Sequence, residues 1–267
     1  MIFSILAIDK NNLIGNKNKL PWHYKKDIEY FKEKTHEKEI LVGYTTYVSL
    51  TQEYNFTLNY FKVLYVVSKK QISDNLVKPV YDLNEFIKNR KKDLWIIGGK
   101  EVFESTLKYS DVVYLTKINK SHVGDVYLDF NFADFINIRD VKNNELNFLT
   151  LIKKDAFIFN IKDVYLKSIL RGEKTFEFRL NTEERKKIKP GDLIYLKSTS
   201  NIVAAKVASV SFFKSWEEVL SKHFETDFAY CFKNKEDALN ELSKYYADSD
   251  IGKYGLVAYK LSEVKSV

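Results

Sequence analysis

One carboxylate in the first half of the chain stands where it could do chemistry. Asp27 opens a predicted helix after the loop Leu20-Pro21-Trp22, and the apolar Ile28 and Phe31 flank it. A carboxylate in such surroundings can bind a planar heterocycle that offers an amine and a ring N–H. Burial raises the pKa of such a carboxyl, which would help couple it to proton uptake. Considered alone, Asp27 has a simpler alternative role as a helix-capping aspartate.

Two glycine turns could hold phosphate groups near this carboxylate. Ile96-Ile97-Gly98-Gly99 leads from a predicted buried strand into a helix, and Leu41-Val42-Gly43 does the same before Thr45-Thr46. Glycine lets the backbone approach a ligand closely, and a helix N-terminus offers N–H groups to a phosphate. Two such turns with an acidic pocket between them predict a cofactor-and-substrate cleft at the strand ends.

A second group of charged residues lies in a predicted strand at Lys174–Arg179. Glu177 and Arg179 are two residues apart, so they share one face of the strand, whereas Lys174, Phe176 and Phe178 share the other. Glu177 and Arg179 can therefore pair or both face a cleft. A solvated strand edge with an ion pair is the alternative.

The elements that must position these residues divide into two domains, predicted at 1–153 and 154–267. Strands alternate with amphipathic stretches in the first, which predicts an α/β fold with a mainly parallel sheet and flanking helices. An antiparallel hairpin around Lys142-Asn143-Asn144 closes it. Long strands interrupted by helices predict a small, curved α+β barrel for the second domain.

Composition limits the remaining possibilities. The 267 residues are 45% hydrophobic and include one cysteine, Cys231, so a sizeable core is expected and an internal disulfide is excluded. Four histidines without mutual spacing predict no metal site. The apolar N-terminus favours a first strand over a signal peptide, and the longest apolar runs are too short for a membrane span, so we expect a cytoplasmic protein without membrane association.

The charge is a weak indicator of partners. The net charge of +7 is spread over both halves, although three of the five arginines (Arg171, Arg179 and Arg185) lie close together. Arginine suits phosphate recognition, but the nearby glutamates dilute the field.

Residues 1–153 resemble dihydrofolate reductase. The resemblance rests on a set of segments in the family's order: Ile5-Leu6-Ala7-Ile8-Asp9, Leu13-Ile14-Gly15, Leu20-Pro21-Trp22, Asp27, Phe31, Thr46, Ile97-Gly98-Gly99, Tyr114-Leu115-Thr116 and Gly124-Asp125. It implies reduction of 7,8-dihydrofolate to tetrahydrofolate with NADPH as the cofactor.

The resemblance also implies roles for particular residues. Asp27, Trp22 and Leu20 would be catalytic, and residues 16–20 would form a loop that closes over the nicotinamide. The substrate would contact Leu6, Asp27, Ile28, Phe31, Ser49, Leu50, Lys62 and Thr116. The cofactor would contact Ala7, Ile14, Gly15, Asn18, Lys19, Thr45, Thr46, Ser68, Lys69, Ile97, Gly98, Gly99, Lys100, Val102 and Phe103.

Two positions depart from the family's pattern. Phe61 stands where an arginine would clamp the carboxylate of folate, and Lys62 could replace it only as a point charge. Tyr44 stands where an arginine would meet the 2′-phosphate of the cofactor, a group that Ser68-Lys69-Lys70 could still bind. The preference for NADPH over NADH and for folate over a related pterin or pyrimidine therefore stays open.

Residues 155–265 resemble the ASCH domain, a PUA-like barrel. The match covers Gly172, Lys174, Glu177 and Arg179 before the Pro190-Gly191-Asp192 turn. It implies a cleft at Lys174, Glu177 and Arg179 that binds RNA or a nucleotide. Some members are amidohydrolases with a threonine where this chain has Glu177, which argues against that chemistry here. The alternative for the whole chain is an RNA-binding or regulatory protein with an inactive or non-folate reductase scaffold; the oligomeric state stays open.

Overall fold

A computed structural model describes residues 1–53, 60–69 and 71–267. The chain forms two compact units, Met1–Lys154 and Asp155–Val267. In the part of the chain that the structure describes, no helix is long and apolar enough to cross a membrane.

The N-terminal unit is a mixed, mainly parallel sheet with helices. Its strands are β1 (Ile2–Ile8), β2 (Leu13–Gly15), β3 (Glu39–Gly43), β4 (Val63–Val67), β5 (Val77–Val80), β6 (Leu94–Ile96), β7 (Val112–Ile118), β8 (Val126–Tyr127), β9 (Phe135–Asn143) and β10 (Leu146–Lys153). Its helices are α1 (Lys25–Thr35), α2 (Tyr44–Glu53), α3 (Leu83–Lys88) and α4 (Lys100–Thr106). Short 3₁₀ turns cover Leu107–Tyr109 and Phe132–Asp134.

Eight strands form the main sheet in the order β5-β4-β3-β6-β1-β7-β10-β9. The first six run parallel, and the β9–β10 hairpin adds to β7 in antiparallel sense, as predicted. The central strands are nearly continuous apolar runs because helices cover the sheet. Leu41, Ile96 and Leu115 are accordingly fully buried in its core. The parallel order brings the carboxyl ends of β1, β3, β6 and β7 to one edge, where the predicted site residues lie.

Helix α1 begins two residues earlier than Asp27. Tyr24 occupies the N-cap position, and no side chain caps the helix. The capping alternative for Asp27 is therefore wrong, and its carboxylate in the first turn is available for another role. Ile28 and Phe31 follow it at the spacing of one helix face.

The C-terminal unit is a five-stranded sheet with four helices. Its strands are β11 (Phe157–Asn160), β12 (Phe176–Leu180), β13 (Leu193–Lys197), β14 (Ile202–Phe213) and β15 (Leu256–Ser266). Its helices are α5 (Asp163–Leu170), α6 (Trp216–Asp227), α7 (Lys235–Leu242) and α8 (Asp248–Tyr254), and Arg185–Lys187 form a 3₁₀ turn. The order is β11-β13-β14-β15-β12, and two register shifts interrupt the β14–β15 ladder. Such bulges bend long strands, in keeping with the predicted curved sheet.

Several short elements were missing from the sequence-based expectation. They are the β2–β8 ribbon, β5, β11 and α8. Their patterns are weak for physical reasons: β5 contains Pro79, and α8 contains Gly252, which lowers helix propensity.

Candidate active site

A cavity of about 960 Å³ opens at the carboxyl edge of the main sheet in the N-terminal unit. Its walls are mostly apolar, with Asp27 and Thr116 among its polar groups and Thr46 and Gly99 lining it as well. A large apolar cleft with a few converging polar groups is the usual form of a small-molecule site.

Asp27 is the carboxylate of this cavity, and its surroundings favour the protonated form. Burial raises the pKa of Asp27, while a hydrogen bond with the Thr116 side chain acts in the opposite direction. Thr116 is itself buried near the end of β7. A carboxyl with a raised pKa can hold or pass on a proton closer to neutral pH than an exposed one.

Trp22 does not line the cavity but belongs to a small buried cluster against which the lining residue Ala7 packs. Its side chain is buried, and its indole packs against the ring of His122 with centroids 5.3 Å apart. The indole Nε1 is buried and has no hydrogen-bond partner among the described residues. A buried N–H group without a protein partner usually donates to an ordered water or to a ligand.

The ends of β3 and β6 meet so closely that side chains are excluded between them. The Gly43 N–H donates to the Gly98 carbonyl at 2.7 Å. A Cβ on Gly99 would lie 2.6 Å from Thr46 Oγ1, and a Cβ on Gly43 would lie 3.2 Å from Val102 Cγ2. Gly98 has φ +111°, which side chains rarely tolerate, and its peptide bond to Gly99 is cis. The three glycines therefore pack directly against the side chains of Thr46, Val102 and Phe103 at the starts of α2 and α4.

The segment from Asn16 to Leu20 is tied down against the cavity. Asn16 and Lys19 exchange backbone hydrogen bonds at 2.8 and 2.9 Å. The Lys17 N–H donates to Asp125 Oδ1 at 3.1 Å, and Ser49 Oγ donates to the Asn18 carbonyl at 2.6 Å. Because Ser49 belongs to α2, the segment spans from the β2–β8 ribbon to that helix and covers part of the cavity.

Most residues predicted for substrate and cofactor line this one cavity. They are Leu6, Ala7, Ile14, Gly15, Asn18, Lys19, Leu20, Asp27, Ile28, Phe31, Thr45, Thr46, Ser49, Leu50, Ser68, Lys69, Ile97, Gly99, Lys100, Val102, Phe103 and Thr116. Trp22, Lys62 and Gly98 do not line it. Lys62 is exposed and the neighbouring Phe61 is buried. Lys70 lies outside the described residues.

Other lining residues were not predicted. They are Ile5, Tyr44, Val67, Tyr81, Leu83, Glu101 and Val126, whereas Gly43, which also lines the cavity, belongs to a predicted glycine turn. Strand register could have found part of this set, since Tyr44 and Tyr81 each follow the end of a parallel strand next to β4.

In the C-terminal unit, Glu177 joins two cations in a buried group. Arg179 Nη2 lies 2.8 Å from Glu177 Oε1, and Lys174 Nζ lies 3.4 Å from Glu177 Oε2. The prediction that Lys174 lies on the opposite face from Glu177 is wrong. Strand β12 begins only at Phe176, so the alternation of side chains between the two faces of the strand does not extend to Lys174. The Lys174 ammonium also donates to the Phe176 carbonyl.

Arg179 is held on several sides but keeps one unused donor. Its Nη2 donates to the Asn160 carbonyl at 2.7 Å, and its guanidinium lies 5.2 Å from the centroid of the Phe159 ring. Glu177 and Tyr246 raise the pKa of Arg179 against the opposing effect of burial, so the group stays charged. Its Nε is buried without a hydrogen-bond partner in the described part of the chain.

The other two clustered arginines are occupied within the unit. Arg171 forms a two-pronged ion pair with Glu173, with bonds of 2.9 and 2.7 Å. Arg185 donates to the Leu180 carbonyl at 3.1 Å. Arg179 and Arg185 nevertheless lie close together, since both guanidinium groups lie over the Phe159 ring, at 5.2 and 5.6 Å from its centroid. Phosphate contact by these arginines stays a prediction.

A cleft at the carboxyl ends of parallel strands, with a carboxylate and two glycine turns, is a common form of small-molecule and nucleotide site in α/β proteins. Residues 1–153 match the family model for dihydrofolate reductase, and residues 159–264 match that for the ASCH domain. The chain therefore belongs to the dihydrofolate reductase family and carries an ASCH domain after the reductase part. Both predicted resemblances and the predicted fold class are confirmed.

Individual relatives agree with this assignment. The dihydrofolate reductase of Mycoplasma genitalium is 32% identical over 156 residues, which cover 55% of this chain and 94% of the relative. That of Mycoplasma pneumoniae is 30% identical over 139 residues, covering 51% of this chain and 87% of the relative. The solved dihydrofolate reductase from Enterococcus faecalis, complexed with NADP(H) and RAB-propyl, has a TM-score of 0.51 at 22% identity and covers 58% of this chain and 96% of that one. This last likeness concerns the fold.

Proposed function

We propose that the N-terminal unit reduces 7,8-dihydrofolate to tetrahydrofolate with NADPH, in the cytoplasm. The observation that carries the proposal is the single cavity that Asp27 and Thr116 line together with Gly43 and Gly99. Burial raises the pKa of Asp27, in keeping with a role in proton uptake. NADP(H) in the Enterococcus faecalis relative supports this cofactor.

One end of the cavity would hold the cofactor. NADPH supplies the hydride when bound. Thr45, Thr46, Gly99 and Lys100 would hold its phosphates, because they line the cavity at the starts of α2 and α4, and helix N-termini offer N–H groups to phosphates. Leu20 lies on the segment that covers the cavity, where it would help exclude water.

At the other end, Asp27 would orient the substrate and keep a proton available. Its carboxylate would accept hydrogen bonds from an amino group and a ring N–H of the pterin. Thr116 would hold that carboxylate in place. The unpartnered Nε1 of Trp22 would anchor a water on the proton's path to the substrate.

The glutamate carboxylate of folate would need a positively charged partner outside the cavity lining. Phe61 is buried and has no charge to offer, whereas Lys62 is exposed and outside the cavity lining. We propose that Lys62 meets the glutamate carboxylate of folate as a solvated point charge, which is a weaker interaction than a two-pronged arginine contact.

The experiment is a steady-state assay on the full chain with dihydrofolate and either NADPH or NADH. We expect NADPH oxidation that depends on dihydrofolate, and a high KM for folate substrates that Lys62→Ala raises further. Lys142→Ala is the control, because Lys142 is exposed, lies outside the cavity lining and belongs to β9 at the opposite edge of the sheet. Binding of NADPH with no response to dihydrofolate would move the assignment to a different reduced heterocycle.

A second function is proposed for the ASCH domain, because Arg179 keeps a buried, unused Nε next to Glu177. We propose that RNA or a nucleotide binds in a cleft at Lys174, Glu177 and Arg179, with the unused donor facing the ligand. The domain would then serve as a binding module.

Binding of the full chain to single-stranded RNA and to mononucleotides, measured against salt concentration, tests this. Arg179→Lys should weaken binding, whereas Arg171→Lys should not, since Arg171 is paired with Glu173 at the surface. Thermal unfolding of both variants shows whether they are folded. Affinity for RNA that neither variant changes would place binding elsewhere, and the absence of binding would remove nucleic acid as a partner.

A further inference from the structure

Three residues follow the ends of three neighbouring parallel strands and form a row along one edge of the sheet. Gly43 pairs with Val67 in the register of β3 and β4, and Val67 pairs with Val80 in that of β4 and β5. The next residues along the chain are therefore Tyr44, Ser68 and Tyr81. All three line the cavity described above.

The two tyrosines of this row are large, exposed aromatic residues. Tyr44 is 46% exposed and Tyr81 is 62% exposed, while Ser68 between them is buried. Both rings therefore present apolar surface to the cavity, where a bound ligand would cover it.

The spacing of the row suits one planar ring. Neighbouring strands lie about 4.8 Å apart, so two residues separated by one strand have backbones about 10 Å apart. Aromatic atoms are in contact at about 3.5–4 Å, so a flat base between two rings needs about 7–8 Å. Tyr44 and Tyr81 can therefore enclose a single base above Ser68.

Tyr44 is also supported from behind. Its ring centroid lies 6.2 Å from that of Tyr47, and the Tyr47 hydroxyl donates to Asp74 Oδ2 at 2.7 Å. Burial and the neighbouring Asp74 raise the pKa of Tyr47 to about 12, so this hydroxyl remains a donor at neutral pH. A ring that rests on a fixed neighbour loses less freedom when a ligand binds.

We propose that Tyr44 and Tyr81 clamp the adenine ring of the cofactor and so determine how the adenosine half is recognised. The inference rests on the proposed function and extends it. The tyrosines contact a base that NADPH and NADH share, so they supply affinity for both. The neighbouring Lys69, which lines the cavity beside Ser68, supplies the preference for the 2′-phosphate.

Equilibrium binding to the full chain tests the clamp without relying on turnover. Dissociation constants are measured by calorimetry for NADPH, NADH and reduced nicotinamide mononucleotide, which lacks adenosine. Tyr44→Ala and Tyr81→Ala should each weaken binding of both dinucleotides by about tenfold, since stacking on one aromatic side chain is worth that much. Binding of the mononucleotide should not change.

Two further variants sharpen the result. Tyr81→Phe should bind the dinucleotides like the wild type, because the ring and not the hydroxyl makes the contact. Tyr109→Ala removes a tyrosine of similar exposure, 45%, that does not line the cavity, and serves as the matched control.

The outcomes separate this inference from the proposed function. Alanine variants that bind both dinucleotides like the wild type would overturn the clamp alone. Loss confined to NADPH would also overturn it, since the tyrosines would then read the phosphate. A wild-type protein that binds neither dinucleotide would overturn the cofactor assignment as a whole, and the clamp with it.

Discussion

Gly99→Ala tests the close packing of Gly99 against Thr46, two residues that line the proposed cofactor end of the cavity. The added Cβ would lie 2.6 Å from Thr46 Oγ1, about 0.8 Å inside the 3.4 Å at which ordinary contacts begin. Gly99 itself has φ −80°, so the added methyl is opposed by lack of space and not by a left-handed backbone. Forcing extra atoms into such a contact costs about 1–3 kcal/mol.

A double-mutant cycle with Thr46→Ala measures this contact. We expect Gly99→Ala alone to lower the free energy of unfolding by about 1–3 kcal/mol in urea titrations. In the Thr46→Ala background the cost should fall by more than half, because the atom that the methyl meets is gone. The affinity for NADPH should fall in the single variant, since Thr46 is displaced from the cavity wall.

The control for the cycle is Gly252→Ala. Gly252 lies in α8, and a Cβ there would meet nothing within 4 Å. We expect this substitution to stabilise the protein by about 0.5–1 kcal/mol, as alanine does in helix interiors. An equal cost of Gly99→Ala in both Thr46 backgrounds would refute the reasoning, because the loss would then come from elsewhere.

The remaining predictions concern Asp27, Asp227 and Tyr44. Asp27→Asn should lower turnover at neutral pH by about 10²–10⁴-fold, the usual contribution of a general acid or base. Because burial raises the pKa of Asp27, the ionised wild type is destabilised. The wild type should therefore lose stability relative to Asp27→Asn as the pH rises from the ordinary carboxyl pKa to the raised one. A difference in the free energy of unfolding that is the same at all pH values would contradict this. Asp227 is fully buried and accepts the N–H groups of Thr175 at 2.5 Å and Phe176 at 2.7 Å. Asp227→Ala should cost about 1–3 kcal/mol for each buried donor left unpaired, measured by urea unfolding, and an unchanged midpoint would contradict it. Tyr44→Arg should raise the ratio of NADH to NADPH dissociation constants, because a guanidinium adds a two-pronged phosphate contact; an unchanged ratio would place the 2′-phosphate away from Tyr44.

The sequence allowed much of the site to be predicted, because the strands that carry it have strong patterns. The apolar runs before Gly43 and Gly98 indicated parallel strands, and parallel strands bring their carboxyl ends together. Asp27 and Thr116 are distant in sequence, so it was the family resemblance that linked them.

Other features depend on three-dimensional contacts that no local pattern encodes. Tyr81 enters the cavity only because β5 pairs with β4, and β5 contains a proline that obscures its strand pattern. Lys174 meets Glu177 because the strand begins two residues later than alternation suggested. The partners of the clustered arginines also depend on the fold, since Arg171 pairs with Glu173 whereas Arg179 and Arg185 both lie over the Phe159 ring.

The most direct test of the central claim follows the hydride itself. The full chain is incubated with dihydrofolate and NADPH that carries deuterium at the transferable position of the nicotinamide, and the products are analysed by mass spectrometry. We expect tetrahydrofolate that contains one deuterium, formed in equal amount to NADP⁺, and greatly reduced formation with Asp27→Asn. Dihydrofolate recovered unchanged, from protein that binds NADPH, would contradict the claim.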